Sequence, residues 1–328
     1  RTFLPKRARM AARTSSVPSA RPSSTARAPT QTSPEKSSSG LPRRRSPRRD
    51  WTAAEYFADP STSNSKLKVF MEASRLYAGY WVTRDIPQPP PGPAMRWGSL
   101  VHLRVLEPDD FVRTVAVKRE GLNRKSNAGK AEIADLEAEG VQLVSLAERR
   151  CLEGIYDAVM RHPLAGRLVE QLDKEVPYTW TDEATGLPCR CKFDMVSTRG
   201  RGGIGDLKTT DDPSPRAFGK SAAKYGYHHQ AAFYSRPIAE LTGEDPHYWI
   251  VAVRSEPPFE VAIYSVSLFQ RAAADQQITA AMQRLRACME TSDWSAPWEM
   301  ARDQPLQLPQ WALPSERSDR NRIYQDII

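Results

Sequence analysis

The feature that most constrains this chain is an acid on one predicted strand followed, twelve residues later, by Asp-x-Lys on the next strand. Asp194 lies on the first strand, and Asp206 and Lys208 lie on the second. Residues two apart on a strand project to the same face, so Asp206 and Lys208 project together. The glycine-rich segment 199–203 predicts a tight turn that brings Asp194 beside them. We therefore expect two carboxylates and one ammonium to converge at the edge of a sheet.

This trio suits a particular chemistry. Carboxylate oxygens are the ligands that Mg²⁺ prefers in proteins. A lysine beside such a site can contact an attacking water or a scissile phosphate, which favours metal-dependent hydrolysis of a phosphodiester. On its own, however, an Asp-x-Lys pair on a strand is more commonly a solvated ion pair, so the interpretation depends on the rest of the chain.

A helix predicted downstream carries two further polar candidates. Gln230 and Tyr234 are four residues apart, so they share one helical face. An amide and a phenol on one face can position a phosphate, a base or a catalytic carboxylate. An ordinary amphipathic helix with a buried tyrosine explains the same spacing, and both interpretations remain open at this point.

A second helix, predicted over 95–106, contains a histidine beside an apolar stripe. The stripe consists of Trp97, Leu100, Val101 and Val105 at helical spacing. His102 lies next to it. A lone histidine in this position is more often a core residue with a satisfied hydrogen bond than a metal ligand, so this helix alone does not define a site.

Taken in order, His102, Asp194, Asp206-x-Lys208 and Gln230-x-x-x-Tyr234 resemble the PD-(D/E)XK nuclease superfamily, in its RecB-like branch. Several longer phrases are similar to the nuclease domains of RecE-type exonucleases, the exonuclease VIII family. These phrases are Ser63–Leu67, Gly98–Pro108, Trp180–Gly186, Asp206–Thr210 and Tyr225–Ala232. The similarity covers roughly residues 51–295 and is specific as a set, although each phrase is weak alone.

The resemblance implies an α/β fold with a restriction-endonuclease-like core, in which helices flank a central mixed sheet behind a helical N-terminal section. The resemblance also implies which residues form the site. Asp194 and Asp206 would bind metal together with His102 and the Leu207 carbonyl. The catalytic residues would be Asp194, Asp206, Lys208, Gln230 and Tyr234.

Two positions depart from the pattern of this superfamily, because Phe193 replaces the proline and the middle acid is Asp206 rather than glutamate. Since only the carboxylate binds metal, both changes suit the chemistry. Glu175, at the start of the first strand, is a candidate supporting acid to which no role is assigned.

The function implied by this resemblance is a Mg²⁺-dependent exodeoxyribonuclease, with Mn²⁺ able to substitute for Mg²⁺. It would digest duplex DNA from 5′ to 3′ in phage or bacterial recombination. Its expected partners are double-stranded DNA, a single-strand annealing recombination protein and further copies of the chain. An endonuclease or a single-strand nuclease on the same fold is the alternative. A DNA-binding module without catalysis is less consistent, because buried carboxylates that face each other without metal repel.

The net positive charge of the chain is not evenly distributed along the sequence. The first 50 residues carry 13 Lys and Arg against 2 Asp and Glu, whereas the remainder carries 34 against 37. The net charge of +8 therefore belongs to the N-terminal segment and does not indicate a nucleic-acid surface on the domain. Such a surface would depend on local clusters, which a solubilising surface explains equally well. The clusters are Arg190, Lys192, Arg199 and Arg201, and Arg216, Lys220 and Lys224.

Three segments are predicted along the chain. Residues 1–49 are rich in Ser, Pro and Arg without apolar periodicity, so we expect a disordered basic tail. A misassigned start or a nonspecific grip on DNA would explain it. The exonuclease domain is expected over 50–295 and an extended C-terminal segment over 296–328. The 4 cysteines lack a C-x-x-C motif and indicate reduced thiols in a cytoplasmic protein, and no apolar run predicts a membrane helix.

Overall fold

The computed structural model describes residues 46–47, 51–118, 126–296, 298–299, 303, 305–309 and 312. Nearly all of the predicted tail over 1–49 and most of the predicted C-terminal segment over 296–328 lie outside these residues. Among the described helices, none is both long enough and apolar enough to cross a membrane.

The described chain forms one mixed sheet and a small parallel pair. In chain order the strands are β1 Ser46–Pro47, β2 Val115–Val117, β3 Gln142–Val144, β4 Asp173–Thr181, β5 Pro188–Ser197, β6 Gly203–Thr210, β7 His247–Arg254 and β8 Val261–Ser265. The main sheet has the order β1-β4-β5-β6-β7-β8, and its β6–β7 pair is parallel while the others are antiparallel. Strands β2 and β3 form the separate parallel pair.

Helices cover both faces of the sheet. They are α1 Ala53–Ala58, α2 Asn64–Glu72, α3 Ser74–Trp81, α4 Pro93–Leu106, α5 Pro108–Thr114, α6 Asn127–Ala138, α7 Leu146–Arg161, α8 Pro163–Gln171, α9 Pro215–Tyr225, α10 Tyr227–Thr242 and α11 Leu268–Thr291. Helices α2, α3, α9, α10 and α11 bury their apolar residues on one face, and α4, α5, α7 and α8 bury theirs on the other. The three central strands predicted from alternation are present, and so is the predicted helix that Ser145 caps with Glu148.

Two local predictions are wrong. The sequence predicts one long helix over 65–82, capped by Ser65 and ended by the proline-rich loop from Pro87, but the chain breaks it at Ala73, whose backbone is extended, and Ser63 caps the first half. The sequence also predicts a short strand over 112–117. Pro108 instead begins α5, since proline fits the first turn of a helix, and only the last three residues of the expected strand are extended.

The feature that positions the site is the separation of β5 from β6. These strands pair only where Met195, Val196 and Ser197 face Gly205, Ile204 and Gly203. Beyond this point the ladder ends, and the Leu207 amide donates instead to Asp194 Oδ2 at 2.8 Å. The Asp194 side chain thus replaces a backbone carbonyl of β5 as the acceptor for the Leu207 amide, and a cleft opens between the two strands.

Candidate active site

The cleft between β5 and β6 has α4 against one face of the sheet and α10 against the other. Helix α4 turns Leu100, Val101 and Val105 into the core, and His102 beside them stays 27% exposed. From there the His102 Nε2 atom lies 2.9 Å from the Leu207 carbonyl oxygen. On the opposite face, α10 directs Gln230 to Asp206. The sheet therefore brings together residues that are far apart in sequence.

Three side chains form a cluster on the α4 side. His102 Nδ1 lies 3.5 Å from Asp194 Oδ1 and 3.8 Å from Glu175 Oε1. These residues each offer one ligand atom, and the three atoms lie within 4.8 Å of one another. Donor atoms around one Mg²⁺ ion lie within about 4 Å of each other, because each is about 2.1 Å from the ion. A small inward movement would therefore allow the three side chains to share a cation.

A second group lies on the α10 side. The Lys208 ammonium is 2.6 Å from Asp206 Oδ2, and the Gln230 amide donates to Asp206 Oδ1 at 2.7 Å. The side chains of Asp206 and Lys208 are only 3% and 17% exposed. As predicted from their spacing, Asp206 and Lys208 share a face, which is the one that α10 covers.

Leu207 links the two groups through its backbone. Its amide holds Asp194, and its carbonyl oxygen faces His102. Of the four predicted metal ligands, His102, Asp194 and the Leu207 carbonyl therefore lie together on the α4 side of the sheet. Asp194 and the Leu207 carbonyl contact the ring, whereas Asp206 is held by Gln230 and Lys208.

Charge interactions set the protonation of these groups. Burial alone would lower the pKa of His102, but Asp194 and Glu175 raise it to about 9. Burial raises the pKa of Asp194 to about 6, against the opposing charge of His102 and with a further contribution from Asp206. Burial also disfavours the charge of Lys208, but Asp206 and Asp194 raise its pKa above the usual value. His102 and Lys208 are therefore cations at neutral pH, and metal binding to His102 must displace a proton.

Glu175 is the member of the site to which the sequence assigned no role. Its neighbours Lys174 and Val176 pair with Met195 and Phe193, so Glu175 lies across from Asp194. Its φ is 54°, a left-handed value that costs a non-glycine residue about 1–2 kcal/mol. Its carboxylate pairs with the Lys192 ammonium. The sequence marks it as an acid at the start of a strand, but its left-handed backbone conformation has no sequence signal.

Tyr234 packs beside β5, the strand that carries Asp194. Its ring packs edge-on against Phe193 at 5.5 Å, next to Asp194 on β5. Burial raises the pKa of Tyr234 well above its usual value, and the carboxylates of Asp194 and Asp206 add to the shift. Among the described residues its hydroxyl makes no hydrogen bond. A catalytic role for Tyr234 stays a prediction.

The residues present fit a divalent cation. Glu175 Oε1 is buried without a hydrogen-bond donor among the described residues, and Asp206 Oδ2 is buried with the Lys208 ammonium 2.6 Å away. A buried carboxylate oxygen without a donor is costly, and a bound cation would satisfy it. Oxygen donors of this kind suit Mg²⁺ or Mn²⁺.

Comparison with known proteins agrees with this geometry. The family described as PDDEXK-like domain of unknown function matches residues 63–302. A crystal structure of a candidate exonuclease from Eubacterium rectale is similar, with a TM-score of 0.55 and 16% sequence identity over 78% of this chain and 96% of that chain. At such an identity the similarity concerns the fold alone. No curated protein sequence matches the chain.

These findings confirm the predicted superfamily and fold class, in which helices flank a mixed sheet. The family match extends over more than half of the chain and includes all of the residues of the β5–β6 cleft. A PDDEXK-like fold with clustered acids supports a nuclease. The chain belongs to the family of PDDEXK-like domains and has the fold of PD-(D/E)XK nucleases.

Proposed function

We propose that the protein is a metal-dependent exodeoxyribonuclease. The observation that carries this proposal is the convergence of Asp194, Asp206 and Lys208 at the point where β5 and β6 separate, with His102 facing them from α4. A solvated ion pair would not account for this arrangement, because the Asp206 side chain is only 3% exposed and Glu175 Oε1 is buried without a hydrogen-bond donor among the described residues.

Each residue has a role in this proposal. His102, Asp194, Asp206 and the Leu207 carbonyl would hold Mg²⁺, for which Mn²⁺ could substitute. When bound, the ion would polarise the phosphate and lower the pKa of a coordinated water. Gln230 fixes the Asp206 carboxylate by donating to Oδ1.

Lys208 acts through its charge. Asp206 and Asp194 keep its ammonium protonated against the effect of burial, so it cannot remove a proton from water in this state. A fixed cation can instead stabilise the negative charge that develops on the scissile phosphate during in-line attack. Its 2.6 Å contact with Asp206 holds that cation at the cleft.

Exonuclease action on duplex DNA, from 5′ to 3′, is the finer part of the proposal. It is supported by the sequence similarity to RecE-type exonucleases and by the fold shared with a candidate exonuclease. The same similarity leads us to propose a cytoplasmic role in recombination, with a single-strand annealing protein as partner and a homo-oligomer as the active form.

The test is digestion of linear duplex DNA labelled separately at its 5′ and 3′ ends, with Mg²⁺ or with EDTA. We expect early release of the 5′ label that requires Mg²⁺. Lys208→Ala should reduce the rate by about 100-fold or more, since removal of one group that stabilises the transition state costs this much. Lys130→Ala, which removes an exposed lysine from α6, is the matched control and should retain the wild-type rate.

Three results would contradict parts of the proposal. Cleavage of closed circular DNA would indicate an endonuclease. Early release of the 3′ label would reverse the polarity. Retained DNA binding without cleavage, in both wild type and Lys208→Ala, would indicate the binding module instead.

A further inference from the structure

A line of aromatic and cationic side chains leads outward from Lys208 along the junction of α9 and α10. The Lys208 ammonium lies 5.3 Å from the centre of the Tyr227 ring. The rings of Tyr227 and Tyr225 are 6.0 Å apart and nearly parallel, at 27°. The ammonium groups of Lys224 and Lys68 lie 5.2 Å and 6.0 Å from the Tyr225 ring. We name Tyr227, Tyr225, Lys224 and Lys68 the tyrosine track.

The turn between the helices creates this arrangement. Helix α9 ends at Tyr225, and Gly226 follows with a φ of 70°, which a residue with a side chain rarely adopts. Helix α10 then begins at Tyr227. One glycine thus places the two tyrosines on either side of the junction between the helices.

The inner tyrosine is held firmly. Tyr227 packs at 5.9 Å on Phe218, which stacks in turn on Tyr264 at 4.9 Å. The outer tyrosine, Tyr225, is 49% exposed. The track therefore has a fixed inner ring near the catalytic lysine and an accessible outer ring.

The two lysines of the track form no close ion pair. Lys68 and Lys224 are exposed, and neither forms an ion pair among the described residues. One acid, Glu72, lies a helical turn beyond Lys68 on α2 and lines a cavity of 210 Å³ together with Lys68, Lys224 and His229. Two exposed cations against this one acid, around an exposed aromatic ring, suit an anionic ligand with flat apolar groups.

We propose that the tyrosine track binds the single-stranded part of a DNA substrate next to the scissile phosphate. Unpaired bases would stack on Tyr225 and Tyr227, and Lys224 and Lys68 would contact phosphates. Paired bases inside a duplex hide their faces, so stacking of successive bases on both rings requires a single strand. This inference rests on the proposed function, because it takes the Lys208 end of the track to be the catalytic end.

The experiment measures binding of a labelled oligothymidylate of about ten nucleotides by fluorescence anisotropy, in EDTA so that no hydrolysis occurs. A blunt duplex of equal length is measured in parallel. The variants are Tyr225→Ala, Tyr225→Phe and Lys68→Ala combined with Lys224→Ala. Arg161→Ala, which removes an exposed cation from α7 on the opposite face of the sheet, is the matched control.

We expect Tyr225→Ala to weaken single-strand binding about tenfold and duplex binding less than twofold, whereas Tyr225→Phe keeps the ring and the affinity. The double lysine variant should reduce the slope of log affinity against log salt by about 1.4, since each lost phosphate contact removes about 0.7. Arg161→Ala should change neither quantity. The melting temperature of Tyr225→Ala should stay near that of wild type, because the ring is half exposed.

The proposal fails if wild type does not bind the oligothymidylate, if Tyr225→Ala binds it as tightly as wild type does, or if the double lysine variant keeps the full salt slope. Its outcome is separate from that of the nuclease assay. A protein that cleaves DNA but shows no effect of Tyr225→Ala retains the proposed function and loses the track. A protein that shows the binding pattern without cleaving DNA retains the track and loses the nuclease.

Discussion

At the scale of single residues, the site depends on how the oxygens of Asp206 are used. Gln230 donates to Oδ1, and the Lys208 ammonium lies 2.6 Å from Oδ2. One oxygen is therefore fixed by the protein, and the other keeps a lone pair available for a cation. Such supporting hydrogen bonds orient metal ligands, and their loss commonly costs tenfold or more in affinity.

Tyr234 offers a test at this scale, because its ring and its hydroxyl have separable roles. The ring packs on Phe193, the neighbour of Asp194, whereas the hydroxyl makes no hydrogen bond among the described residues. We expect Tyr234→Phe to keep stability and to keep the rate of DNA digestion within about threefold. We expect Tyr234→Ala to lower the free energy of unfolding by about 2–4 kcal/mol in a urea titration, because the ring packs against the core while remaining partly exposed.

The two substitutions discriminate between packing and chemistry. A rate loss beyond tenfold in Tyr234→Phe, at unchanged stability, would show that the hydroxyl takes part in catalysis, as the sequence resemblance implies. Loss of stability in Tyr234→Phe would show instead that the hydroxyl has a structural partner.

Residue spacing predicted part of this site and missed another part. Asp206 and Lys208 follow from the period of a strand, and Gln230 follows from the order of the motifs. Glu175 did not follow from them, since its left-handed backbone breaks the alternation on which the spacing argument depends. The basic cluster around Arg190 was also misleading, because Arg190 is buried against Tyr56 and Lys192 pairs with Glu175.

At the scale of elements, the turn between β5 and β6 sets the geometry of the cleft. Gly202 has a φ of 80°, and a Cβ there would lie 2.6 Å from Ile238 Cγ2 and 3.3 Å from the Ser197 carbonyl oxygen. The turn therefore needs glycine both for its backbone conformation and for its contact with α10. Since Asp194 and Asp206 lie on the two strands joined by this turn, the turn also sets their separation.

Gly202→Ala should lower the free energy of unfolding by about 1–3 kcal/mol, from the strained backbone and the overlap with Ile238. Gly219→Ala is the matched control. Gly219 lies within α9, and a Cβ there meets nothing within 4 Å, so this substitution should raise stability by about 0.5–1 kcal/mol. Urea unfolding measures both values. Equal effects of the two substitutions would show that the turn does not require glycine.

The break between α2 and α3 shows why some element boundaries could not be predicted. The sequence from Asn64 to Trp81 contains no proline, and its glycine, Gly79, lies beyond the break. Contacts with a segment distant in sequence fix the chain at this break. The Ser74 hydroxyl donates to the Trp294 carbonyl oxygen at 2.9 Å, and Trp294 stacks on Tyr77 at 5.8 Å. Contacts between residues more than 200 positions apart leave no local signal.

At the scale of the whole molecule, acids outnumber bases outside the first 50 residues, and several of the acids meet in the cleft. Glu175, Asp194 and Asp206 come from three adjacent strands, and Glu175 and Asp194 cluster with His102. Folding buries these charges close to one another, which is unfavourable unless cations compensate them. His102, Lys192 and Lys208 compensate them in part.

A divalent cation should complete the compensation and should therefore stabilise the entire fold. A ligand that binds only the folded state adds about 2.7 kcal/mol of stability at 100 times its dissociation constant. For a domain of this size we expect Mg²⁺ or Mn²⁺ to raise the melting temperature by about 5–10 °C over the value in EDTA. Asp194→Asn should abolish the shift, whereas Asp157→Asn, which neutralises an exposed acid on α7, should keep it.

The melting temperature measured in EDTA makes this prediction specific to the site. Asp194 is buried beside other carboxylates, so Asp194→Asn should melt no lower than wild type when metal is absent. Gln230→Ala should retain the metal shift but require about tenfold more metal to reach it, because Asp206 loses its orienting donor. An equal shift in wild type and Asp194→Asn would place the bound cation elsewhere on the protein. That result would remove the cleft between β5 and β6 as the metal centre on which the proposed chemistry depends.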